Sequence, residues 1–529
     1  MLQAIRHRGP DDESFYFDET ISLGHCRLTI VDKSGGHQPF YNEDKSVVVV
    51  SNSEIYNYGS LRERLANKGH SFRSECDTEV LVHLYEEYGI YFPEYLEGFY
   101  AIALYDLSKK TLIFSRDNQG IKPLFYTVCN NNLIFASEYK AIIRSGYLMP
   151  RMNEQALKSI HVFGYLLKNQ TLVQDIYQFQ SGHSYLWKEG KLYYKKNRSN
   201  TERGRYSKDA KGLLHILKES VAERLPEKVP FGTLLSGGID SAIITALAHS
   251  VTSAHQELNV FTINDEDDNA DISYARLIAK QFGCRHHEFT FGMNDILSEF
   301  PAIVFHQENM AYGIYNHFLC KHASKHAKVV LSGCGADELF GGYERYAEVA
   351  SFRRQYLQKV NTINWDDPGI LKSLEKLRTP TDFINFEITG GQLTNCQLLN
   401  VDRTSMASSL EARVPYLSRD MLSFANNLDE KSKVKESKNK IILRETGKKI
   451  GLPTTVVNRP KLPAGMSNTS PYTMPRFQQY CNEISCRMPR GRHDKYFNWP
   501  MQKVSFSLFE NVFIKNHAEK PDYGLNDFF

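Results

Sequence analysis

One stretch limits the folds open to this chain more than any other: residues 231–242, FGTLLSGGIDSA. An apolar run ends in two glycines, and an aspartate and a serine then open a helix-like run. A strand that turns straight into a helix belongs to a parallel α/β sheet. In such sheets ligands sit at the carboxyl ends of strands. A helix starting there offers free backbone N–H groups to an anion, and glycines let the backbone approach a phosphate closely. The Walker A spacing G-x-x-x-x-G-K-[ST] and its lysine are missing. The anion's charge must then be met by backbone, by a metal or by distant cations. Asp240 repels a phosphate directly, so it suggests Mg²⁺ between acid and phosphate. Taken alone, the same residues also read as a plain strand–helix turn, with Asp240 and Ser241 as helix caps.

A second strand end separates these readings. KVVLSGCGADELFGGY, residues 328–343, again runs an apolar strand into Ser-Gly, with acids at Asp337 and Glu338. Two glycine-rich strand ends, each with an acid, can face one triphosphate–magnesium from two sides. The surrounding chain, with LNVFTI, SYARLIAKQFG and HHEFTF, alternates strand-like and helical runs, which predicts a parallel sheet. From about Glu344 the pattern is mainly helical. The first part, to about Tyr194, is instead β-rich: SVVVVS, TLIFSR, LFYTV and LIFAS are short apolar strands, CNNN reads as a hairpin turn, and residues 77–89 carry helical spacing closed by a glycine. Residues 195–209, polar and without periodicity, are the expected linker. The expected domains are therefore 1–194, joined by 195–209 to 210–529.

The formal net charge of +3 over 529 residues gives no field that would draw the chain onto nucleic acid or an anionic membrane. No apolar run is long enough to span a bilayer. The start, MLQAIRHRGPDD, lacks the apolar core of a secretory signal. Nine scattered cysteines without a CxxC pair indicate neither a disulfide framework nor a zinc site. A reduced, cytoplasmic protein is expected. The lysine-rich stretch at residues 431–440 reads as a solvated face or loop, and the pair His286 and His287 as packing.

SGGIDS resembles the pyrophosphate loop of ATP-pyrophosphatases, and LSGCGADELFGGY is similar to the second phosphate loop of glutamine-dependent asparagine synthetases. HRGPDD, LGHCRLTIVD, GGHQPFYN, NSEIYN, RDNQGIKPLFY and FASEYKAI resemble that family's glutaminase domain in order, and SLEARVPYL, NKIILRE and RPKLPAG its synthetase domain. The resemblance implies an α+β N-terminal domain, an antiparallel sheet sandwich of the N-terminal-nucleophile type. It implies an α/β ATP-pyrophosphatase domain after it, with a largely helical C-terminal part. The implied reaction makes asparagine from aspartate, ATP and ammonia or glutamine through an acyl-adenylate, releasing pyrophosphate and AMP. Carried over residue by residue, Leu235, Ile263, Ser332 and Gly333 would hold the nucleotide, and Ser236, Gly237, Gly238, Asp240 and Ser241 the pyrophosphate. Asp240 and Asp337 would bind Mg²⁺, and Lys461 would reach the developing negative charge. Arg27, Asn52, Ser53, Glu54 and Asp77 would form the glutamine pocket. Arg413 reads as either structural or substrate-binding. The implied partners are small molecules only, and a homodimer is left open.

Two departures stand out. Cys334 occupies the place where asparagine-forming relatives carry Glu, and a thiol cannot deprotonate or position ammonia in the same way. This leaves an amide ligase or cyclase on another carboxylate as an alternative, beside a catalytically silent binding protein. The chain also begins Met1-Leu2, where family glutaminases carry an N-terminal cysteine whose own amine is the base. The expectation is a glutaminase-like domain without its first strand and nucleophile, and inactive. Ser53 replaces Gly at the oxyanion hole. Cys26, beside Arg27, is internal, and on a strand it would face away from the pocket.

Overall fold

Four consecutive valines from Val47 lie in a strand buried on both faces. The computed structural model, which describes residues 1–32, 34–198, 206–252, 257–265, 270–310, 313–435, 438–460 and 473–529, shows what covers them. Strands β1 (Asp12–Phe17) and β2 (Ser22–Arg27) form a hairpin. Strands β3 (Phe40–Tyr41), β4 (Val47–Ile55), β5 (Gly98–Asp106) and β6 (Thr111–Arg116) follow, then β7 (Phe125–Cys129), β8 (Asn132–Ala136), β9 (Tyr177–Gln178), β10 (His183–Lys188) and β11 (Lys191–Lys196). The main antiparallel sheet has the order β11-β10-β6-β5-β4-β3, and a second one the order β8-β7-β9. Side chains alternate across a strand. Val47 and Val49 accordingly pack with Leu61, Val80 and Leu84 of the helices Tyr58–Ala66 and Val80–Tyr88. Val48 and Val50 pack on the other side with Leu23, Leu124 and Phe179. The CNNN turn is a two-residue hairpin loop, with Asn130 and Asn131 at φ 49° and 61°.

The second half holds β12 (Phe231–Leu234), β13 (Asn259–Asp265), β14 (Arg285–Phe291), β15 (Val329–Leu331) and β16 (Glu411–Arg413). They form one all-parallel sheet of order β14-β13-β12-β15-β16. Beyond residue 344 the described chain is largely helical.

Two expectations are adjusted. Strand β11 runs to Lys196, inside the stretch expected as linker, and buried Asn197 bonds Ser184 and Ser115. Residues 199–205 lie outside the described part, and Asp209 caps the helix Ala210–Glu223. The lysine-rich stretch is solvated only in part: Lys431, Lys435 and Lys438 are exposed, whereas Lys433 and Lys440 are buried. His286 and His287 do pack within the sheet, bonding Thr262 and Asn259 of β13 at 2.8 and 2.9 Å.

The two halves meet through buried charge. Arg8 bridges Glu138 and Asp402, each at 2.8 Å, and Arg403 pairs with Glu308, which accepts from the backbone of Tyr139 and Lys140. Among the described residues, no helix is long and apolar enough to cross a membrane.

Candidate functional site

Strands β12 and β15 are neighbours, with Thr233 opposite Leu331. Their carboxyl ends, and the two glycine-rich turns that leave them, therefore lie side by side. After β12 the chain passes through buried Leu235 to Ser236, Gly237 and Gly238, and the helix Ile239–Val251 starts. Gly237 has φ 69°, and a Cβ there would meet the Asp271 carbonyl at 2.5 Å, so only glycine makes this turn without strain. The loop is braced internally. The Ser236 backbone N–H donates to Ser241 Oγ at 3.2 Å, and Ser241 Oγ donates to the Gly238 carbonyl at 3.1 Å. Thr262, one residue before Ile263 on β13, donates to the Leu235 carbonyl at 2.8 Å.

After β15 come Ser332, Gly333, Cys334 and Gly335, then the short helix Ala336–Phe340 with Asp337 in its first turn. A Cβ on Gly333 would sit 3.1 Å from the Asp240 Cβ and the Ser241 N, so the two loops touch at this residue. Asp240 and Asp337 are brought to one cation, Lys440, whose buried ammonium pairs with Asp240 and lies 2.5 Å from Asp337 Oδ1. Asp240 Oδ1 is buried and makes no hydrogen bond. Arg459 donates to the Gly237 carbonyl at 3.1 Å and pairs with Asp271, and Tyr416 donates to the Asp240 carbonyl at 3.2 Å. Lys461 lies outside the described residues.

The Cys334 thiol is part-buried, and burial pushes it well above its ordinary range, with the carboxylates of Glu338 and Asp337 adding to the effect. Glu338 accepts from the Tyr343 hydroxyl at 2.6 Å, and burial, then the charge of Asp337, pushes it up to about 7.

Arg27, Asn52, Ser53, Glu54 and Asp77 all line one cavity of about 730 Å³ in the first half. Four of these side chains, those of Arg27, Ser53, Glu54 and Asp77, contact other protein groups. Arg27 donates to the Val31 carbonyl at 3.2 Å and to that of Asp32. Asp77 accepts from the Ile55 N–H at 2.8 Å, and Ser53 Oγ lies 3.5 Å from Thr78 Oγ1. Glu54 lies 2.9 Å from the Arg413 guanidinium, and burial, against the pull of Arg413, raises it to about 8. Arg413 is fully buried on β16, where it also bonds Glu411 and the Arg224 carbonyl. It thus joins the cavity of the first half, through Glu54, to the parallel sheet. Cys26 and Arg27 point to opposite sides of β2, as strand alternation requires: the Cys26 thiol is toward the Leu2 carbonyl at 3.7 Å, on the side where a Cβ on Gly24 would also meet Leu2, whereas the Arg27 guanidinium reaches the Val31 and Asp32 carbonyls; both residues border the cavity.

Sequence reasoning missed Lys440, Arg459 and Tyr416. All three lie in stretches singled out by their motifs, NKIILRE, RPKLPAG and SLEARVPYL, or at the edge of one. What distinguishes them is contact with the first glycine-rich turn, at Gly237 and Asp240, far away in the chain.

A family model described as asparagine synthase matches residues 212–522, more than half the chain. The chain belongs to the asparagine synthase family. A glutamine amidotransferase domain matches residues 1–198. Asparagine synthetase (glutamine-hydrolyzing) 1 of Bacillus subtilis is 29% identical, covering 87% of this chain and 82% of its own length. The corresponding enzyme 2 of Arabidopsis thaliana is 32% identical, over 82% of this chain and 68% of its own. Enzyme 2 of B. subtilis is 31% identical, over 88% and 68%. The chain is thus a member of an ATP-dependent carbon–nitrogen ligase family built like asparagine synthase.

Proposed function

We propose that this chain activates a carboxylate, aspartate by family, as an acyl-adenylate and converts it to an amide with ammonia. The observation that carries the reading is the meeting of two glycine-rich strand ends, with Asp240 and Asp337 drawn together at their mouth. A carboxylate oxygen attacks the α-phosphorus of ATP, and the bond to pyrophosphate breaks. Ammonia then attacks the acyl carbon, gives up a proton, and AMP leaves with the electron pair of the broken C–O bond. Ser236, Ser241 and the Gly238 end of the helix Ile239–Val251 are suited to hold the departing pyrophosphate. Lys440 supplies positive charge between the two acids. The orphaned Asp240 Oδ1 beside Asp337 fits a divalent cation. Mg²⁺ held by these two carboxylates would neutralise phosphate charge. Lys461 is proposed, by family position, to meet charge developing on the phosphate or the tetrahedral carbon.

The glutaminase half is proposed to be inactive in this chain, so ammonia is the nitrogen donor. The two thiols lining its cavity are both protonated at neutral pH: burial pushes Cys26 up to about 11 and Cys76 higher still. Nine free cysteines support placing the enzyme in a reduced compartment, the cytoplasm.

Cys334 favours a second reading, an amide ligase or cyclase acting on a carboxylate other than aspartate. One experiment addresses all three points. The chain is incubated with ATP, Mg²⁺, ammonium or glutamine, and a panel of carboxylates. AMP and pyrophosphate are expected with ammonium, and the carboxylate that drives their release identifies the substrate. ADP and phosphate as products would overturn adenylation. Glutamate release above a thiol-blocked control would overturn the silent glutaminase.

A further inference from the structure

We propose that Glu43, His70, His83 and Glu86 form a zinc-binding site on the outer side of the amidotransferase-type domain. Three separate elements supply them. Glu43 lies in the turn between β3 and β4, and His70 in the segment after the helix Tyr58–Ala66. His83 and Glu86 stand one turn apart on the helix Val80–Tyr88. One ligand atom from each lies within 4.8 Å of all the others.

The individual separations match a metal's coordination edges. His83 Nδ1 is 3.4 Å from both Glu43 Oε2 and Glu86 Oε2. His70 Nδ1 is 3.6 Å from Glu86 Oε2 and also faces the Glu43 carboxylate, whose other oxygen, Oε1, is 3.5 Å away. Four N and O ligands about 2.0–2.1 Å from a tetrahedral zinc stand roughly 3.3–3.4 Å apart. Direct hydrogen bonds would bring these atoms closer, to about 2.7–3.2 Å.

His83 is the independent sign of a ligand. Its side chain is 0% exposed, and neither ring nitrogen makes a hydrogen bond. A buried ring nitrogen without a hydrogen bond is costly; Nδ1 faces the Glu43 and Glu86 carboxylates at 3.4 Å without bonding either, and coordination would satisfy that nitrogen. The His83 ring is held edge-on against Phe72, with centroids 4.6 Å apart.

The outer groups are arranged to orient the ligands. The Ser71 N–H donates to Glu43 Oε1, and Asn42 Nδ2 donates to Glu86 Oε1, both at 2.8 Å. Each carboxylate is left its Oε2. His70 Nε2 lies 3.2 Å from Glu87 Oε1, the carboxylate–histidine arrangement that fixes a metal-binding ring. Two imidazoles and two carboxylates in tetrahedral spacing suit zinc better than magnesium or calcium. The ion would tie a hairpin turn and a loop to the helix that follows Asp77, and so stiffen one wall of the cavity.

The test uses the whole purified chain, stripped with a chelator and titrated with Zn²⁺ against a chromophoric competitor. One zinc per chain and a rise in melting temperature are expected, and Co²⁺ in its place should give the intense visible absorption of a tetrahedral site. His70→Ala and Glu86→Gln, neither of which opens the core, should each weaken zinc binding more than tenfold. Glu87→Gln should weaken it about 10–100-fold, the usual effect of losing an orienting carboxylate. Absence of stoichiometric zinc in the wild type would overturn the proposal. So would unchanged affinity in both His70→Ala and Glu86→Gln, which would put the ion elsewhere, such as Asp240 and Asp337.

Discussion

Arg413→Met tests how the two halves are joined. The guanidinium is fully buried and has three partners: Glu54 at 2.9 Å, Glu411 at 2.9 Å and the Arg224 carbonyl at 3.0 Å. Methionine keeps much of the volume and removes every donor. Breaking a buried ion pair from one side costs about 3–5 kcal/mol, because the remaining charge is left uncompensated. Glu411 keeps Lys122 at 3.7 Å, which limits its share. The share of Glu54 depends on pH. Its folded value, about 8, lies above the ordinary carboxylate range, so the folded state holds its proton more tightly than the unfolded state. Glu54 therefore contributes stability at low pH that is lost as pH rises toward 8. Arg413 pulls that value down, so the variant should push it higher and extend the loss above pH 8. For domains of about 150–250 residues, 1 kcal/mol shifts the melting temperature by about 2–4 °C. A fall of about 6–20 °C is expected in thermal unfolding followed by circular dichroism, larger at pH 9 than at pH 6. A fall under about 2 °C, equal at both pH values, would refute the reasoning. So would a Glu54→Gln background in which Arg413→Met costs the same at both.

Asp240→Asn should lower pyrophosphate release on the order of 10²-fold or more, since it removes half of the proposed metal-binding charge pair while keeping the side chain's shape; full activity in a coupled pyrophosphate assay would exclude Asp240 from the chemistry. Cys334→Glu should raise the ratio of amide to pyrophosphate with aspartate and ammonium on the order of tenfold, within the range of a positioned base. An unchanged ratio would place Cys334 outside the second step. Glu338, raised to about 7, favours the folded state below the ordinary carboxylate range and loses that contribution as pH rises toward 7. Glu338→Gln keeps an acceptor for Tyr343, so its melting temperature should vary less between pH 5 and 8 than that of the wild type, and equal slopes would count against a buried neutral acid.

By itself the sequence determined what is local. The run FGTLLSGG must be a strand entering a glycine turn, because only that order places an apolar run against a helix start. The repeated alternation after it dictates a parallel sheet, and valines at 47–50 require cover on both faces. Motif order was enough to identify the family and to name Asp240 and Asp337 as a pair. Only the tertiary structure decided which distant groups answer them. Lys440, in a stretch that reads as solvent-facing, is buried between two acids about a hundred and two hundred residues earlier. Arg413, ambiguous in sequence, is settled by Glu54 on the other domain's sheet. Glu43, His70, His83 and Glu86 carry no metal-ligand spacing at all, and converge because a hairpin turn packs beside a helix. Periodicity records which face of an element is buried. The partner of a buried charge is set by the path of the whole chain, and no short window of sequence contains that path.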